Sequence, residues 1–280
     1  MIRLLLTLSC LLLGFNAAQA SPTSGFPQYP SLSPDGSMTV FSLGGDLWSV
    51  PTGGGHAERL TSNESSELRS SFSPDGGLLA FESNRNGATS IHVMPVEMRG
   101  QRLVPTGPIR RVVTSDRNQY LSGFTPDGES ILFWGYREPS LFRESGMYRA
   151  PLDGGAIVPL TSAKGDAPRM TDNQLVFSRG GAPMERPRYR GSSNQDIWSM
   201  NLADGSFTRL TEGKANDSHA FPLPNGDVLF ISSRDGQNNL WRLPAGAGED
   251  SLVQITSRTP ANDQTTIGHG IRDLAVSGDG

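Results

Sequence analysis

Beyond its first twenty residues the chain has no cysteine; the only one in the sequence, Cys10, lies inside the leading apolar run. That excludes a disulfide framework and a thiolate nucleophile from the rest of the chain. An excess of positive charge is missing too. Lys and Arg number 24 against 28 Asp and Glu, a net charge of −4, and setting Arg3 aside with the leader leaves 23 against 28. No stretch gathers the basic residues that a nucleic-acid partner demands. No window sustains a 3.6-residue hydrophobic period, so helices are not expected to build the core. There is no Gly-x-Ser-x-Gly elbow, no His-Glu-x-x-His and no phosphate loop. The four histidines, His56, His92, His219 and His269, fall at no metal-ligand spacing, and no Ser/His/Asp order stands out. No catalytic residue, metal or cofactor is therefore expected within these residues.

A long hydrophobic run occurs once. Leu4 to Phe15 are largely apolar, Arg3 precedes them, and Ala18-Gln19-Ala20 supplies a small-residue cleavage site. This pattern describes a secretory signal peptide over residues 1–20, cut before Ser21. The run is too short to span a bilayer, and Leu8 does not suit a lipoprotein signal. A periplasmic or secreted address is expected, with no membrane attachment after cleavage.

What the sequence has in quantity is turns, with 33 Gly and 20 Pro. One turn recurs as Ser33-Pro34-Asp35-Gly36, Ser73-Pro74-Asp75-Gly76 and Thr125-Pro126-Asp127-Gly128, with worn copies at Pro224-Asn225-Gly226 and Asp279-Gly280. Pro presets the first corner, Asp or Asn caps through its side chain, and Gly takes the φ > 0 position. In blade order the fourth copy, around Asp172-Asn173, has lost its Pro and Gly. After each turn comes a strand ending in an aromatic, as in Leu78-Leu79-Ala80-Phe81. A third strand follows, as in Asp46-Leu47-Trp48-Ser49-Val50-Pro51, and then a short outer strand ending in Thr: Arg59-Leu60-Thr61, Val112-Val113-Thr114, Pro159-Leu160-Thr161, Arg209-Leu210-Thr211 and Gln254-Ile255-Thr256. Four strands every 40 to 50 residues are the signature of β-propeller blades. The expected fold is all-β, a propeller over residues 21–280 with five complete four-stranded blades. The innermost strand of a sixth, around Ile271-Arg272-Asp273-Leu274-Ala275-Val276, suggests a truncated six-bladed ring.

These repeats resemble the TolB-type propeller. The order of blade features is more specific: Gly146-Met147-Tyr148-Arg149-Ala150-Pro151, then Arg188-Tyr189-Arg190-Gly191 before Gln195-Asp196-Ile197-Trp198, then Ser233-Arg234-Asp235-Gly236. That succession resembles the N-terminal six-bladed propeller of tricorn-type serine peptidases. The resemblance implies the propeller portion of an exported peptidase, one that admits or holds peptides or unfolded segments for catalytic domains elsewhere in the polypeptide. Two alternatives stay open: a stand-alone periplasmic TolB-like propeller binding a protein or peptide, and a propeller preceding an amidohydrolase or a prolyl-oligopeptidase-type enzyme.

Four arginines are the candidate binding residues. Arg85, Arg137 and Arg234 each stand four residues after the aromatic of their second strand, and Arg179 follows Phe177 more closely. Equivalent corners of successive blades lie on one face, so these guanidiniums could form a rim that draws in peptide carboxylates. The same positions would equally serve ion pairs between blades, with Glu138 and Asp235 nearby. Trp48, Tyr148, Trp198 and Trp241 share one position of the third strand, which points to packing between blade sheets rather than to a ligand.

Overall fold

The structure, a computed structural model, describes residues 25–138, 144–181, 186, 189–257 and 274–276. The leader expected over residues 1–20 lies outside them. The described chain folds into five antiparallel sheets, four of them four-stranded meanders in sequence order and one, blade 2, with a fifth strand. Blade 1 holds β1 (Gln28–Leu32), β2 (Met38–Leu43), β3 (Asp46–Pro51) and β4 (Glu58–Arg59). Blade 2 holds β5 (Glu67–Phe72), β6 (Leu78–Ser83), the long β7 (Ser90–Arg99), β8 (Arg102–Pro105) and β9 (Arg110–Arg111). Its fourth position belongs to β9, which pairs with the first half of β7; β8 extends the second half as a ribbon. Blade 3 holds β10 (Gln119–Phe124), β11 (Ser130–Gly135), β12 (Gly146–Pro151) and β13 (Val158–Pro159). Blade 4 holds β14 (Asp166–Met170), β15 (Gln174–Arg179), β16 (Asp196–Asn201) and β17 (Phe207–Arg209). Blade 5 holds β18 (Asp217–Pro222), β19 (Val228–Ser232), β20 (Asn239–Leu243) and β21 (Val253–Gln254).

The all-β propeller expected from the repeats is therefore present with five blades. Most of the strand expected over residues 271–276 lies outside the described residues, and Leu274–Val276 form no strand. The outer strands begin one to two residues before the stretches that the repeats marked. Their closing threonines serve another purpose. Thr61, Thr211 and Thr256 accept the backbone N–H of Leu47, Ile197 and Leu240 at 2.9–3.0 Å, tying the outer edge to the third strand.

The recurring turn joins the inner strand to the second. In blade 2, Ser73 Oγ donates to Asp75 Oδ1 at 2.6 Å, Gly77 N–H donates to the same oxygen, and Leu78 N–H donates to Ser73 Oγ. Blades 1 and 3 repeat the arrangement with Ser33/Asp35 and Thr125/Asp127. These bonds, the hydroxyl's first, hold all three carboxyls below the usual range. The turns also stack. A Cβ on Gly128 would stand 3.4 Å from Pro74 of the preceding blade, and φ there is +73°. Any side chain would strain the backbone and crowd the neighbouring turn.

The core repeats as well. Phe81, Phe133, Phe177 and Phe230 of the second strands are fully buried. Each faces a third-strand residue in register: His92, Tyr148, Trp198 and Trp241, with Phe41 and Trp48 equivalent in blade 1. The shared aromatic position of the third strand is thus a cross-strand packing position. Blade 2 fills it with His92, stacked on Phe81 at 5.9 Å. Burial, then the nearby Arg85, lowers that imidazole to about 4, so it is neutral at physiological pH.

Opposite this phenylalanine every inner strand bulges. The register slips between Gln28 and Ser31, Leu68 and Ser70, Leu121 and Gly123, Asp166 and Arg169, and Ser218 and Phe221. In four blades the bulge holds a non-glycine residue in the left-handed region: Tyr29, Arg69, Ala167 and His219 at φ 42–54°. A bulge adds one residue, bends the strand and re-aims the side chains that follow.

Candidate functional site

The five inner strands run the same way along the axis, so the site has two ends. At five to six residues each they are roughly 15–20 Å long. The four candidate arginines lie at the end where the inner strands begin, and each stacks on the aromatic pair of its own blade. Arg85 lies over Phe81 at 5.6 Å, Arg137 over Tyr148 at 5.8 Å, Arg179 over Trp198 at 5.5 Å and Arg234 over Trp241 at 5.2 Å.

Their further contacts differ. Arg85 Nη2 donates to Glu67 Oε1 at 2.9 Å, and Arg234 Nη2 donates to Asp217 Oδ2 at 3.0 Å. Both acids open an inner strand and are fully buried. Arg234 also meets Glu249 at 3.2 Å. These ion pairs close within one blade and use neither Glu138, which pairs with Lys164, nor Asp235, which accepts from Asn239. In blade 3 the equivalent inner residue is Gln119, and Arg137 donates instead to the carbonyl of Thr114 at 3.2 Å. Burial works against the charge of Glu67, yet bonds from Ser65, Arg85 and Ser83 hold its carboxyl below the usual range. Burial raises Asp217 despite Arg234.

Blade 4 departs from the pattern. Its inner strand opens with Asp166, whose register partner is Ser178. In blades 2 and 5 the arginine stands two residues past the equivalent serine. Here that position is Gly180, where a Cβ would meet the Asn194 carbonyl at 2.2 Å. The loop before β16 fills the space, and its Gln195 Nε2 donates to Asp166 Oδ2 at 3.1 Å. With an amide where blades 2 and 5 have a guanidinium, burial carries the Asp166 carboxyl up to about 7.

At the other end of the inner strands a cavity of about 530 Å³ lies on the axis. One register position recurs around it, the inner-strand partner of the residue just before each blade's second-strand phenylalanine. Ser31, Ser71, Gly123, Arg169 and Phe221 pair respectively with Val40, Ala80, Leu132, Val176 and Leu229. All but Gly123 line the cavity. Arg169 reaches over Phe221 at 5.1 Å. Its Nη1 fills the space beside Gly123, where a Cβ would stand 2.6 Å away. The recurring turns form the lip through Pro34, Pro74, Pro126 and Pro224; blade 4 has Asp172 in the proline position. Arg169 and Asp172 are the charged residues of the lining. Sequence reading singled out neither, although the degenerate turn at Asp172-Asn173 was visible.

Among the described residues no group of three His, Cys, Asp or Glu is arranged to hold a metal. His56 is exposed, His92 is buried beside Asn86, and His219 lies in the blade 5 bulge. His269 lies outside the described residues.

Two outcomes follow from the acid positions. Arg234→Gln leaves the Asp217 carboxyl buried without its partner and should cost about 3 kcal/mol of unfolding free energy. Arg179→Gln should cost less than about 1 kcal/mol, since it removes a stacking contact alone. Equal denaturant midpoints for the two variants would contradict this. For Asp166 the sign runs the other way. An aspartate in an unfolded chain titrates near 4, whereas Asp166 does so at about 7. The folded protein thus holds a proton that the unfolded chain releases, and the stability this gives is lost as pH rises from about 4 through 7. Asp166→Asn should stabilise the protein at pH 8 by about 1–4 kcal/mol. It should change little at pH 4. Denaturant melts at both pH values check this, and an unchanged midpoint at pH 8 would contradict it.

The tricorn protease N-terminal β-propeller domain family matches residues 24–268. Tricorn protease homolog 1 of Streptomyces coelicolor is 32% identical over 216 residues, which cover 74% of this chain and 19% of that protein. The Tol-Pal system protein TolB of Francisella tularensis is 28% identical over 254 residues, covering 83% of this chain and 54% of TolB. The chain thus spans about a fifth of the tricorn homolog and about half of TolB. Among solved structures, the tricorn protease superposes with a TM-score of 0.67 at 21% identity over 83% of this chain and 22% of that one. A putative TolB from Agrobacterium tumefaciens gives 0.63 at 21% identity over 82% and 80%. These structural likenesses speak to the fold. The family match covers nearly the whole described propeller: the chain belongs to the tricorn protease N-terminal β-propeller domain family.

Proposed function

We propose that this chain is the propeller portion of an exported tricorn-like serine peptidase, which admits or holds peptide segments for a catalytic domain outside these 280 residues. The axial cavity is the observation that carries the reading. Its volume falls in the range of small-ligand sites. Its wall combines Phe72, Phe124 and Phe221 with the hydroxyls of Ser31, Ser70 and Ser71. That mixture suits an extended peptide, whose apolar side chains need cover and whose backbone needs donors and acceptors. The signal-like leader supports export. The rim arginines belong to the same proposal at the opposite end. There Arg137 and Arg179 have no ion-pair partner among the described residues, so they can meet acidic segments, whereas Arg85 and Arg234 are already engaged with Glu67 and Asp217.

Similarity to TolB over 83% of the chain favours a second reading, in which the same cavity holds a segment of a protein partner without downstream catalysis. Both readings need the cavity to bind an extended chain. Fluorescence anisotropy with labelled casein-derived peptides tests that need. The full chain should bind in the micromolar range, and Ser71→Leu, which fills the cavity from its wall, should weaken binding about tenfold or more at an unchanged melting temperature. Absence of binding, or binding that ignores the plug, would remove the cavity from either function. The coding sequence past Gly280 separates the two readings: a PDZ domain followed by a serine-peptidase domain supports the first, and an early stop the second.

A further inference from the structure

Three acids open inner strands at the end where those strands begin, and two of them have a cation at hand. Glu67 meets Arg85 and Asp217 meets Arg234. Asp166 holds the Gln195 amide on Oδ2, and its other oxygen accepts from no described residue. Basic side chains of its own blade are engaged elsewhere. Arg179 and Arg209 lie over Trp198, Arg209 pairs with Asp196, and Lys164 pairs with Glu138 of blade 3. Protein surrounds Asp166 closely enough to raise its carboxyl, yet part of the residue stays open to solvent. It is an acid short of a counter-charge, in a place that a ligand can reach. The side facing blade 3 is aromatic. β10 lies against β14. Tyr120 and Asp166 each pair with the residue that follows their blade's phenylalanine, Trp134 and Ser178, which sets them at one height on neighbouring inner strands. Tyr120 stacks on Trp134 at 4.4 Å, and the Tyr136 side chain that follows is exposed. Burial, then Tyr120 and Asp166, hold the Tyr136 phenol above its usual range, so the phenol lies within the field of the carboxyl. An accessible carboxylate beside electron-rich rings suits an organic cation, which the charge attracts on one side and the ring faces on the other.

We infer that Asp166, with Tyr120, Trp134 and Tyr136, forms a subsite for the cationic side chain of an arginine or lysine in a bound peptide. This rests on the peptide-holding reading above and adds the side-chain class that is recognised at the end opposite the axial cavity. The ligand supplies the charge that Arg85 and Arg234 supply in blades 2 and 5. Arginine fits better than lysine, because its flat, weakly hydrated guanidinium can meet the carboxylate edge-on and lie against a ring. Arg137 does not oppose the cation. It lies over Phe133 and Tyr148, and strand alternation puts Phe133 on the sheet face opposite Trp134. The class selected is an internal arginine or lysine flanked by neutral or acidic residues, the acidic ones within reach of the rim arginines.

The test titrates the full chain by calorimetry with acetyl-Gly-Ala-Arg-Ala-Gly-amide and with its isostere carrying citrulline, which keeps the shape of arginine without the charge. Both ends are blocked, so a terminal amine cannot stand in for the side chain. At pH 8, above the titration of Asp166, the arginine peptide should bind at least about tenfold tighter than the citrulline peptide. Asp166→Asn should erase that difference by weakening the arginine peptide alone. Tyr136→Leu, which removes an exposed ring, should weaken it about threefold. Equal affinity for the two peptides in the unmodified protein overturns the inference and leaves the peptide-holding reading standing. A preference for arginine that survives in Asp166→Asn overturns the assignment to Asp166, and one unchanged in Tyr136→Leu removes the aromatic wall from it. Binding of neither peptide also overturns the inference, and the casein-derived peptides then show whether peptide holding fails with it. The comparison within the unmodified protein decides the matter even if a variant fails to fold.

Discussion

The axis of this propeller depends on the bulge that every inner strand takes opposite its blade's phenylalanine. Without the extra residue, period-two alternation would carry one set of side chains along each inner strand from end to end. With it, the side chains at the far end are re-aimed, and four of the five equivalent positions line one cavity. Tyr29, Arg69 and His219 are bulky residues held at positive φ, a conformation that costs of order 1–3 kcal/mol each. Contacts around the bulges offset that cost. His219 N–H donates to Ser178 Oγ of blade 4, Leu121 N–H of blade 3 donates to the buried Glu82 of blade 2, and Ser31 and Ser70 share a hydrogen bond at 2.7 Å. Arg69, which pairs with Glu82, also covers the Tyr29 ring at 4.3 Å. The strain is shared around the ring, where the phenylalanine core over-determines the backbone.

Repetition then makes differences legible. Blades 2 and 5 bury an acid and neutralise it with their own arginine. Blade 3 replaces the acid by Gln119 and leaves Arg137 on its aromatic pair. Blade 4 keeps the acid, loses the arginine to Gly180, and places cationic and anionic side chains at the opposite end instead. One blade in five thus carries Arg169 and Asp172 at the cavity and Asp166 at the far end, while the others supply a frame of hydroxyls, prolines and phenylalanines. A scaffold of like units with one altered unit can acquire a directional site without a change of fold.

The strands, the turns and the aromatic packing were legible in the sequence because their residues act over short separations. Asp75 caps Ser73 two residues away, and Thr61 reaches Leu47 across a single hairpin. The outer strands were displaced by one to two residues because their threonines advertise a tie to the third strand rather than strand pairing. The arginine partners were not legible. Glu67 and Asp217 lie 18 and 17 residues before Arg85 and Arg234, and only the register of the inner hairpin brings them together, so acids nearer in sequence drew attention. Arg169 was hidden for a different reason. The bulge residues Tyr29, Arg69, Ala167 and His219 share no side-chain type, and nothing in the sequence marks the slip that turns Arg169 to the axis. Asp172 showed as a worn turn, which acquires meaning once the prolines around it are seen to form a lip.

Backbone hydrogen exchange of the full chain, with and without a saturating casein-derived peptide, tests the central claim most directly, because it reports where the peptide sits. The account predicts slowed exchange around Ser31, Ser71, Phe124, Arg169 and Phe221, with the corners at Arg85 and Arg234 unchanged. Protection confined to those corners, or none at the axis, would contradict it.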